Sequence, residues 1–417
     1  MLIHSASQLL TLTGEPQRGR ELGELGLIHD GAVLVQGELI TAAGPSAELR
    51  AAYPDEQALD ATGRVVMPGF IDPHTHLIWA GDRAGEFEMR VQGKTYMQIL
   101  EAGGGILSTV RATRESSLET LIAHARPRLR TMLAHGTTTA EAKTGYGLEL
   151  DTELRMLQAL LTLDQEGPLD LAITFLGAHA IPPEYQGDAG GYTEHICAVL
   201  LPAVHAWWLD HAGDDLPFVD VFCETGVFSL EQSRRILETS LSLGFPIKIH
   251  ADEFDNLGGA ALAARLGAVS ADHLVATSPE DIATLAQSDT VAVALPCTPF
   301  GLAEREYTPA QDILRAGGIL ALATDLNPGT AWCESMQFSI ALACRTMRLT
   351  PAQAIAAATI NAAAAINRAD RIGSIEPGKQ ADLIILDVSD YRHLGYRFGT
   401  NLVRSVIKKG HIVQTKG

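Results

Sequence analysis

Residues 68–77 read PGFIDPHTHL and contain two histidines, His74 and His76, separated by a single residue. The apolar run before them predicts a buried β-strand, and residues i and i+2 of a strand point to the same side. Both imidazoles can then bind one metal ion through ring nitrogen. Two ordinary polar histidines at a strand end are the alternative, so the interpretation depends on the rest of the chain.

Short apolar runs alternate with helical stretches after this motif, which is the pattern of parallel strands joined by crossover helices. Helix-start signals such as Ser229 with Gln232, and Ser278 with Pro279, separate some of the runs. The eight predicted strands are Val65–His76, Thr137–Tyr146, Leu171–Ala180, Phe218–Glu224, Pro246–Glu253, Ala268–Leu274, Val291–Pro299 and Ile319–Asn327. Eight alternations favour a closed (β/α)8 TIM-type barrel over an open doubly wound sheet, because no GxGxxG follows a strand.

Both ends of the chain carry further strand signals. Residues 31–40 (GAVLVQGELI) predict a hairpin that turns near Gly37, and ADLIILDV with LVRSVIKKGHIVQTKG predicts strands after residue 366. We therefore expect a small composite β-sandwich domain formed by residues 1–65 and 367–417, beside a barrel of residues 66–366. Residues 81–117 are rich in glycine and arginine and predict a long functional loop.

Composition limits the partners and the compartment. The formal net charge of −19 disfavours nucleic acid and anionic membranes, so a small-molecule substrate is the expected partner and a homodimer stays possible. The five cysteines form no CxxC pair, which argues against a disulfide framework. The N-terminal residues lack the pattern of a signal peptide, and no apolar run is long enough to span a bilayer. These features predict a cytoplasmic protein.

Polar residues gather at the carboxyl ends of the predicted strands, which form the active-site face of a barrel. His250 closes the fifth run and is the expected third ligand, while Asp325 follows the apolar run ILALA and is the expected fourth. A carboxylate there is costly to desolvate unless it meets a metal or a cation. Glu253 and His273 lie at neighbouring strand ends as candidates for proton transfer and oxyanion stabilisation. A capping aspartate, a helix-start glutamate and a solvated histidine are the alternatives.

The chain resembles the amidohydrolase superfamily in PGFIDPHTHL, in the later His250, His273 and Asp325, and in the tail GSIEPGKQADLIILD. More specific phrases are similar to the imidazolonepropionase family: VQGKTYMQILEAGGGILSTVRATRESS, EAKTGYGLEL, FLGAHAIPPEY, VDVFCE, HADEF and ATDLNPGT. The resemblance implies the barrel, a composite β domain and hydrolysis of 4-imidazolone-5-propanoate to N-formimidoyl-L-glutamate.

The same resemblance implies roles for individual residues. The implied metal ligands are His74, His76, His250 and Asp325, and His273 is the implied catalytic partner; Glu253 and Asp325 are catalytic candidates because their carboxylates can transfer protons. The implied substrate contacts are Arg83, Tyr146, His179, Glu253, Asn327, Gly329 and Thr330. In physical terms Arg83 can bind the propionate of the substrate bidentately, although a solvated loop arginine is the alternative.

One divalent metal is expected, and its ligands suit zinc or iron equally. The predicted fourth strand, FVDVFCE, contains no lysine, which favours one ion over the two-metal sites built on a carboxylated lysine; Lys143 on the second strand leaves that alternative open. Two other functions also stay open at this stage. They are deamination of an aromatic base by the same residues, and a non-catalytic scaffold that kept the barrel.

Overall fold

The computed structural model describes residues 1–94, 98 and 103–415. The described strands form two eight-stranded sheets, one from the middle of the chain and one from its two ends. The expected fold class, a (β/α)8 barrel beside a composite β domain, is confirmed.

The barrel sheet is entirely parallel, and its strands follow each other in sequence order. They are β6 (Phe70–Asp72), β7 (Thr137–Lys143), β8 (Asp170–Ala178), β9 (Phe218–Cys223), β10 (Lys248–Ala251), β11 (Ser270–His273), β12 (Val291–Ala294) and β13 (Leu320–Leu322). A parallel bridge between Thr75 and Leu326 joins the segments that follow β6 and β13. The His76 N–H donates to the Leu326 carbonyl at 2.8 Å, so the sheet closes on itself directly at the HxH motif.

The second sheet contains the strands of both chain ends. They are β1 (Leu2–Leu10), β2 (Leu27–Gln36), β3 (Leu39–Pro45), β4 (Ala58–Asp60), β5 (Val65–Pro68), β14 (Leu383–Leu386), β15 (Val403–Lys408) and β16 (His411–Thr415). The expected hairpin is confirmed, since β2 and β3 pair antiparallel from Gln36 and Leu39 outward and Gly37 has a φ of +60°. Strand β5 lies between β1 and β14 and so links the N-terminal strands to the C-terminal ones.

Helices cover the barrel and connect its strands. The α-helices within the described ranges are Ser46–Ala52, Ala84–Val91, Ile106–Glu115, Leu118–Ala134, Leu150–Glu166, Ala189–His195, Leu201–His211, Leu230–Ser242, Gly259–Leu266, Pro279–Ala286, Cys297–Leu302, Ala310–Ala316, Met336–Thr346, Pro351–Ala357, Ile360–Ala364 and His393–Tyr396. Two expected helix starts are confirmed: Ser229 and Gln232 form a capping box, and Ser278 caps the helix that has Pro279 in its first turn. None of the helices in the described ranges has the length and apolar character needed to cross a membrane.

The first predicted strand, Val65–His76, is wrong as a single element, because it divides between the two sheets at Gly69. Residues before this glycine form β5 and residues after it form β6. A Cβ atom at Gly69 would lie 2.3 Å from the Thr138 side chain, so only glycine lets the chain pass this close to β7. The sequence shows one continuous apolar run here because the residues on both sides of Gly69 are buried, each side in a different sheet.

The long loop expected at residues 81–117 is also partly wrong, since helices Ala84–Val91 and Ile106–Glu115 occupy much of it. The first of these helices buries none of its residues, and its apolar side chains Phe87 and Val91 are exposed. Residues 95–97 and 99–102, which belong to the phrase GKTYMQILEAG, lie outside the described residues.

A buried asparagine connects the N-terminal segment that contains Gln17 to the barrel strand β13. The Asn361 side chain donates to the carbonyls of Gln17 and Leu320, both at 2.9 Å, and accepts from the Gln17 N–H at 2.7 Å. Asn361 has no exposed surface, so water cannot replace it as the hydrogen-bond partner of these backbone groups. Its side chain completes a contact between residues 344 positions apart.

We predict that Asn361→Ala lowers the free energy of unfolding by about 2–4 kcal/mol, because it leaves buried backbone groups without partners. Urea unfolding followed by circular dichroism measures the change. The matched control is Asn256→Ala, whose side chain is exposed and should cost less than about 1 kcal/mol. Equal effects of the two substitutions would contradict this role of Asn361.

Candidate active site

Four side chains from four places in the chain converge at the carboxyl ends of the barrel strands. We call them the ligand cluster: His74, His76, His250 and Asp325. The two histidines of the motif flank the bridge residue Thr75, while His250 lies within β10 and Asp325 follows β13. All four are at least 97% buried.

The ligand cluster has the spacing of metal ligands: the ligand atoms of His74, His76 and His250 lie within 4.8 Å of one another, as do those of His74, His273 and Asp325. The Nε2 atoms of His74 and His76 each lie 3.5 Å from Asp325 Oδ1, and His250 Nε2 lies 3.4 Å from His76 Nε2. Ligand atoms held about 2.0–2.2 Å from one tetrahedral ion are separated by roughly 3.3–3.6 Å. The residues present therefore fit a metal ion.

Unpartnered buried atoms support the same conclusion. His74 Nε2 and Asp325 Oδ1 have no hydrogen-bond partner in the described part of the chain, and neither is exposed. Burial lowers the pKa of His74 and His76 well below the usual value, with Lys143 adding to the effect on His74. The imidazoles are thus neutral, which is the form that binds metal. Burial raises the pKa of Asp325 to about 6, against hydrogen bonding from Thr298.

A layer of fully buried charged residues lies beneath the ligand cluster. We call this set the charged layer: Glu141, Lys143, Asp220, Lys248 and Asp272. Lys143 Nζ lies 2.8 Å from both Glu141 Oε1 and Asp220 Oδ2, and Lys248 Nζ lies 2.9 Å from the same glutamate oxygen. None of the five side chains has exposed surface, so their charges are stabilised by each other, by the ligand cluster and by neighbouring polar groups such as the Thr174 hydroxyl, which donates to Glu141, and the Pro73 carbonyl, which accepts from Lys248.

Two carboxylates of the charged layer lie against imidazoles of the ligand cluster. Asp272 Oδ2 lies 2.6 Å from His74 Nδ1, and Asp220 Oδ2 lies 2.9 Å from His250 Nδ1. An ionised carboxylate only accepts hydrogen bonds, so His74 carries its proton on Nδ1 and turns the Nε2 lone pair towards the ligand cluster. Burial raises the pKa of Asp220, but attraction to His250 and Lys143 outweighs it and holds the pKa well below its usual value.

The charges of the two sets balance if a divalent cation is added. The charged layer supplies two ammonium groups and three carboxylates, and Asp325 supplies a fourth carboxylate. The sum without a cation is two negative charges on side chains that are almost entirely buried. Net charge of this kind is costly to bury, so the donor set is suited to a divalent ion.

Two of the strand-end residues adopt left-handed backbone conformations that non-glycine residues rarely adopt. His273 has a φ of +78° and Asp325 a φ of +56°. Neighbouring hydrogen bonds hold both, since the Asp325 N–H donates to the His74 carbonyl at 3.1 Å and the Thr308 hydroxyl donates to the His273 carbonyl. Strain of about 1–3 kcal/mol per residue is typical of functional sites.

A cavity of about 250 Å³ opens above the ligand cluster. Except for His74, which lies below it, every residue that the sequence analysis assigned to the site lines this cavity. These lining residues are His76, Arg83, Tyr146, His179, His250, Glu253, His273, Asp325, Asn327, Gly329 and Thr330. The remaining lining is mostly apolar and was not anticipated: Ile106, Ala180, Phe222, Val227 and Phe254.

Arg83 approaches the loop after β13, which we call the eighth-strand loop (residues 327–330). A Cβ atom at Gly329 would lie 2.4 Å from Arg83 Nη1, so glycine allows the guanidinium to reach the loop backbone. The opposite edge of the guanidinium binds Glu86, with Nε and Nη2 at 2.9 and 2.8 Å from Oε2. Asn327 Oδ1 accepts the N–H groups of Gly329 and Thr330, both at 2.8 Å, which fixes the loop.

Glu253 and His273 face each other beside Asp325. Glu253 Oε1 lies 3.7 Å from His273 Nδ1, and His273 Nε2 is buried without a hydrogen-bond partner among the described residues. Burial raises the pKa of Glu253 well above its usual value, and the nearby Asp325 and Glu224 add to the rise. Burial also lowers the pKa of His273 well below its usual value. The pair therefore offers a proton-holding carboxyl group beside a neutral imidazole.

Tyr146 and His179 form the wall of the cavity near His76. The ring of His179 stacks on that of His76 with centroids 4.7 Å apart and an interplanar angle of 16°. The Tyr146 ring is 5.2 Å from His179. Burial raises the pKa of Tyr146 and lowers that of His179 to about 3, so both are neutral at physiological pH.

The charged layer is the part of the site that sequence reasoning missed. Its members lie at alternate positions of strands, as in Glu141-Ala142-Lys143 and Lys248-Ile249-His250, and so share the inward face of the barrel. That alternation of charged and apolar residues in predicted buried strands was the available signal. The signal does not reveal the rest of the pairing, because the contacts other than Glu141–Lys143 join different strands.

Comparisons with known proteins give the family. Models of the amidohydrolase family match residues 57–102 and 243–413, and a model of the bacterial imidazolonepropionase-like composite domain matches residues 31–55. An imidazolonepropionase of Herpetosiphon aurantiacus is 52% identical over 99% of this chain and 97% of its own length. One of Chloroflexus aggregans is 48% identical over 100% of this chain and 98% of its own.

A solved structure supports the fold alone. An adenosine deaminase from Xanthomonas campestris with bound zinc superposes with a TM-score of 0.69 at 20% identity, covering 99% of this chain and 92% of the other. The full-length identity to the curated relatives is far higher than this. The chain belongs to the imidazolonepropionase family of amidohydrolases.

Proposed function

We propose that this chain hydrolyses the cyclic amide of 4-imidazolone-5-propanoate to N-formimidoyl-L-glutamate, a step of histidine degradation. The convergence of the ligand cluster at 3.4–3.5 Å on the floor of a cavity that also presents Arg83 carries the proposal. The full-length relatives bear the name of this activity.

One divalent ion, zinc or iron, is proposed to bind the ligand cluster. The ion, when bound, lowers the pKa of a coordinated water towards neutrality and polarises the substrate carbonyl. Asp272 keeps His74 in the ligating tautomer, and Asp220 lies 2.9 Å from His250 Nδ1. Thr298 donates to Asp325 Oδ2, which leaves Oδ1 to face the Nε2 atoms of His74 and His76.

The chemical step needs a base, an oxyanion donor and an acid. Asp325, or Glu253 once its own proton has been given up, accepts the proton that the attacking water loses when its oxygen bonds to the ring carbonyl carbon. His273 donates a hydrogen bond from Nε2 to the carbonyl oxygen as negative charge develops there. The ring C–N bond then breaks, and the carboxyl group that holds the proton returns it to the departing nitrogen.

The cavity walls position the substrate. Arg83 binds the propionate through Nη1, the nitrogen that faces the eighth-strand loop and that Glu86 does not contact. Asn327, Gly329 and Thr330 hold the carboxylate that the ring carbonyl becomes, and Tyr146 and His179 contact the ring from the side of His76.

We predict that His74→Ala abolishes stoichiometric metal binding and reduces turnover by at least about a hundredfold, because the metal loses one of its ligands. Metal analysis and loss of the imidazolone absorbance are the measurements. His124→Ala, an exposed histidine on the helix Leu118–Ala134, is the matched control. Full turnover by a demonstrably metal-free His74→Ala enzyme would refute the proposal, and release of ammonia would indicate deamination instead.

We predict that Asp272→Asn weakens metal binding by about 10–100-fold, because the imidazole of His74 loses the carboxylate that fixes its tautomer. Competition with a chelator of known affinity gives the dissociation constant without an activity assay. Asp382→Asn removes a buried carboxylate that pairs with Lys408 in the composite sheet and should leave metal affinity unchanged. A loss of affinity in both variants would point to general destabilisation.

We predict that Arg83→Met raises the KM for imidazolone propionate by about 10–100-fold with a smaller effect on kcat, because the propionate loses its charged partner. Initial rates over a range of substrate concentrations separate the two constants. Arg50→Met makes the same charge change on an exposed helix of the composite domain and serves as the control. An unchanged KM would remove Arg83 from the substrate site.

A further inference from the structure

A buried carboxylate lies behind the turn that carries Tyr146. Glu153 belongs to the helix Leu150–Glu166, and its side chain has no exposed surface. Its Oε2 accepts the N–H of Gly145 at 3.1 Å, and its Oε1 accepts the N–H groups of Gly147 and Leu148, both at 2.8 Å. Three amides of one turn therefore converge on a single side chain.

The turn has a conformation that needs such support. Gly145 has a φ of +102° and Leu148 a φ of +55°, so two of its residues lie in the left-handed region. A Cβ atom at Gly147 would approach the Glu153 backbone nitrogen to 2.8 Å, which shows how closely the turn packs on the helix. Without the carboxylate, three buried N–H groups would lack acceptors.

The same turn holds a second cavity residue. The Gly145 carbonyl accepts the Nδ1–H of His179 at 3.0 Å, and His179 stacks on the ligand His76. Tyr192, fully buried, places its hydroxyl 2.8 Å from the Gly177 carbonyl and 3.2 Å from the Leu148 carbonyl. Glu153 therefore supplies the hydrogen bonds that hold the turn from one side, and Tyr192 contacts it from the other.

We propose that Glu153 is a positioning residue for substrate binding, which acts by fixing the turn at residues 145–148 and through it Tyr146 and His179. Glu153 does not line the cavity and touches no substrate. The inference rests on the proposed function only in its choice of substrate. The contacts that carry it join groups within this chain.

The chemistry of the contact requires a carboxylate. In Glu153→Gln the amide oxygen can keep the bonds from Gly147 and Leu148, but the amide nitrogen then faces the Gly145 N–H, and two donors meet. The repulsion between these two donors displaces Gly145, whose carbonyl orients His179. In Glu153→Met all three amides lose their acceptor.

The test compares Glu153→Gln and Glu153→Met with Glu149→Gln, which removes an exposed carboxylate one turn earlier, at the start of the same helix. We expect KM for imidazolone propionate to rise about tenfold in Glu153→Gln and further in Glu153→Met, with kcat changed less and bound metal unchanged. Glu149→Gln should resemble the wild type. Wild-type KM in a folded Glu153→Gln enzyme would overturn the proposal, and this variant decides the matter if Glu153→Met fails to fold.

Hydrogen exchange separates this inference from the proposed function. Amides of residues 145–148 should exchange faster in Glu153→Gln than in the wild type, while the β8 amides keep their protection. If the wild type does not hydrolyse imidazolone propionate, the proposed function fails but the exchange measurement still decides whether Glu153 fixes the turn. Unchanged exchange in both Glu153 variants would overturn the inference whatever the activity.

Discussion

Compensation of buried charge is the constraint on which the rest of the structure depends. The charged layer places two lysines and three carboxylates where no water reaches them, and Asp325 adds one more negative charge above. Removing a single partner from such a set leaves an uncompensated charge, so each member fixes its neighbours. The strands that carry these residues are held in register partly because no other register would pair the charges. The ligand cluster is thus oriented before any ion binds.

The contacts that close the barrel also position residues of the site. The β-bridge that closes the barrel joins Thr75, which lies between His74 and His76, to Leu326, which follows Asp325. Between the same two segments, Asp72 accepts hydrogen bonds from both the N–H and the hydroxyl of Thr324. Burial raises the pKa of Asp72 to about 7, against those hydrogen bonds. The left-handed conformation of Asp325 occurs at this seam, where hydrogen bonds on both sides can support it.

The sequence predicted the parts of the fold that have local causes. Strand–helix alternation gave the barrel, and the ends of predicted strands gave the cavity-lining residues, because in a parallel barrel those ends must meet. Val65–His76 was assigned to one strand because hydrophobicity reports burial and not which sheet buries a residue. The helix Ala84–Val91 escaped notice because it buries no side chain. The pairs Lys143–Asp220 and His74–Asp272 join residues 77 and 198 positions apart, and no local pattern indicates them.

The composite sheet has a consequence for biosynthesis. Strand β5 pairs with β14, so residue Val66 lies beside Ile385. During translation the N-terminal strands leave the ribosome long before that neighbour exists, and β5 waits with one hydrogen-bonding edge exposed while the barrel is made. Such an edge invites pairing with other nascent chains. The edge of β5 stays exposed until β14 has been synthesised. Termination of translation before β14 would therefore yield an aggregation-prone product with a nearly complete barrel.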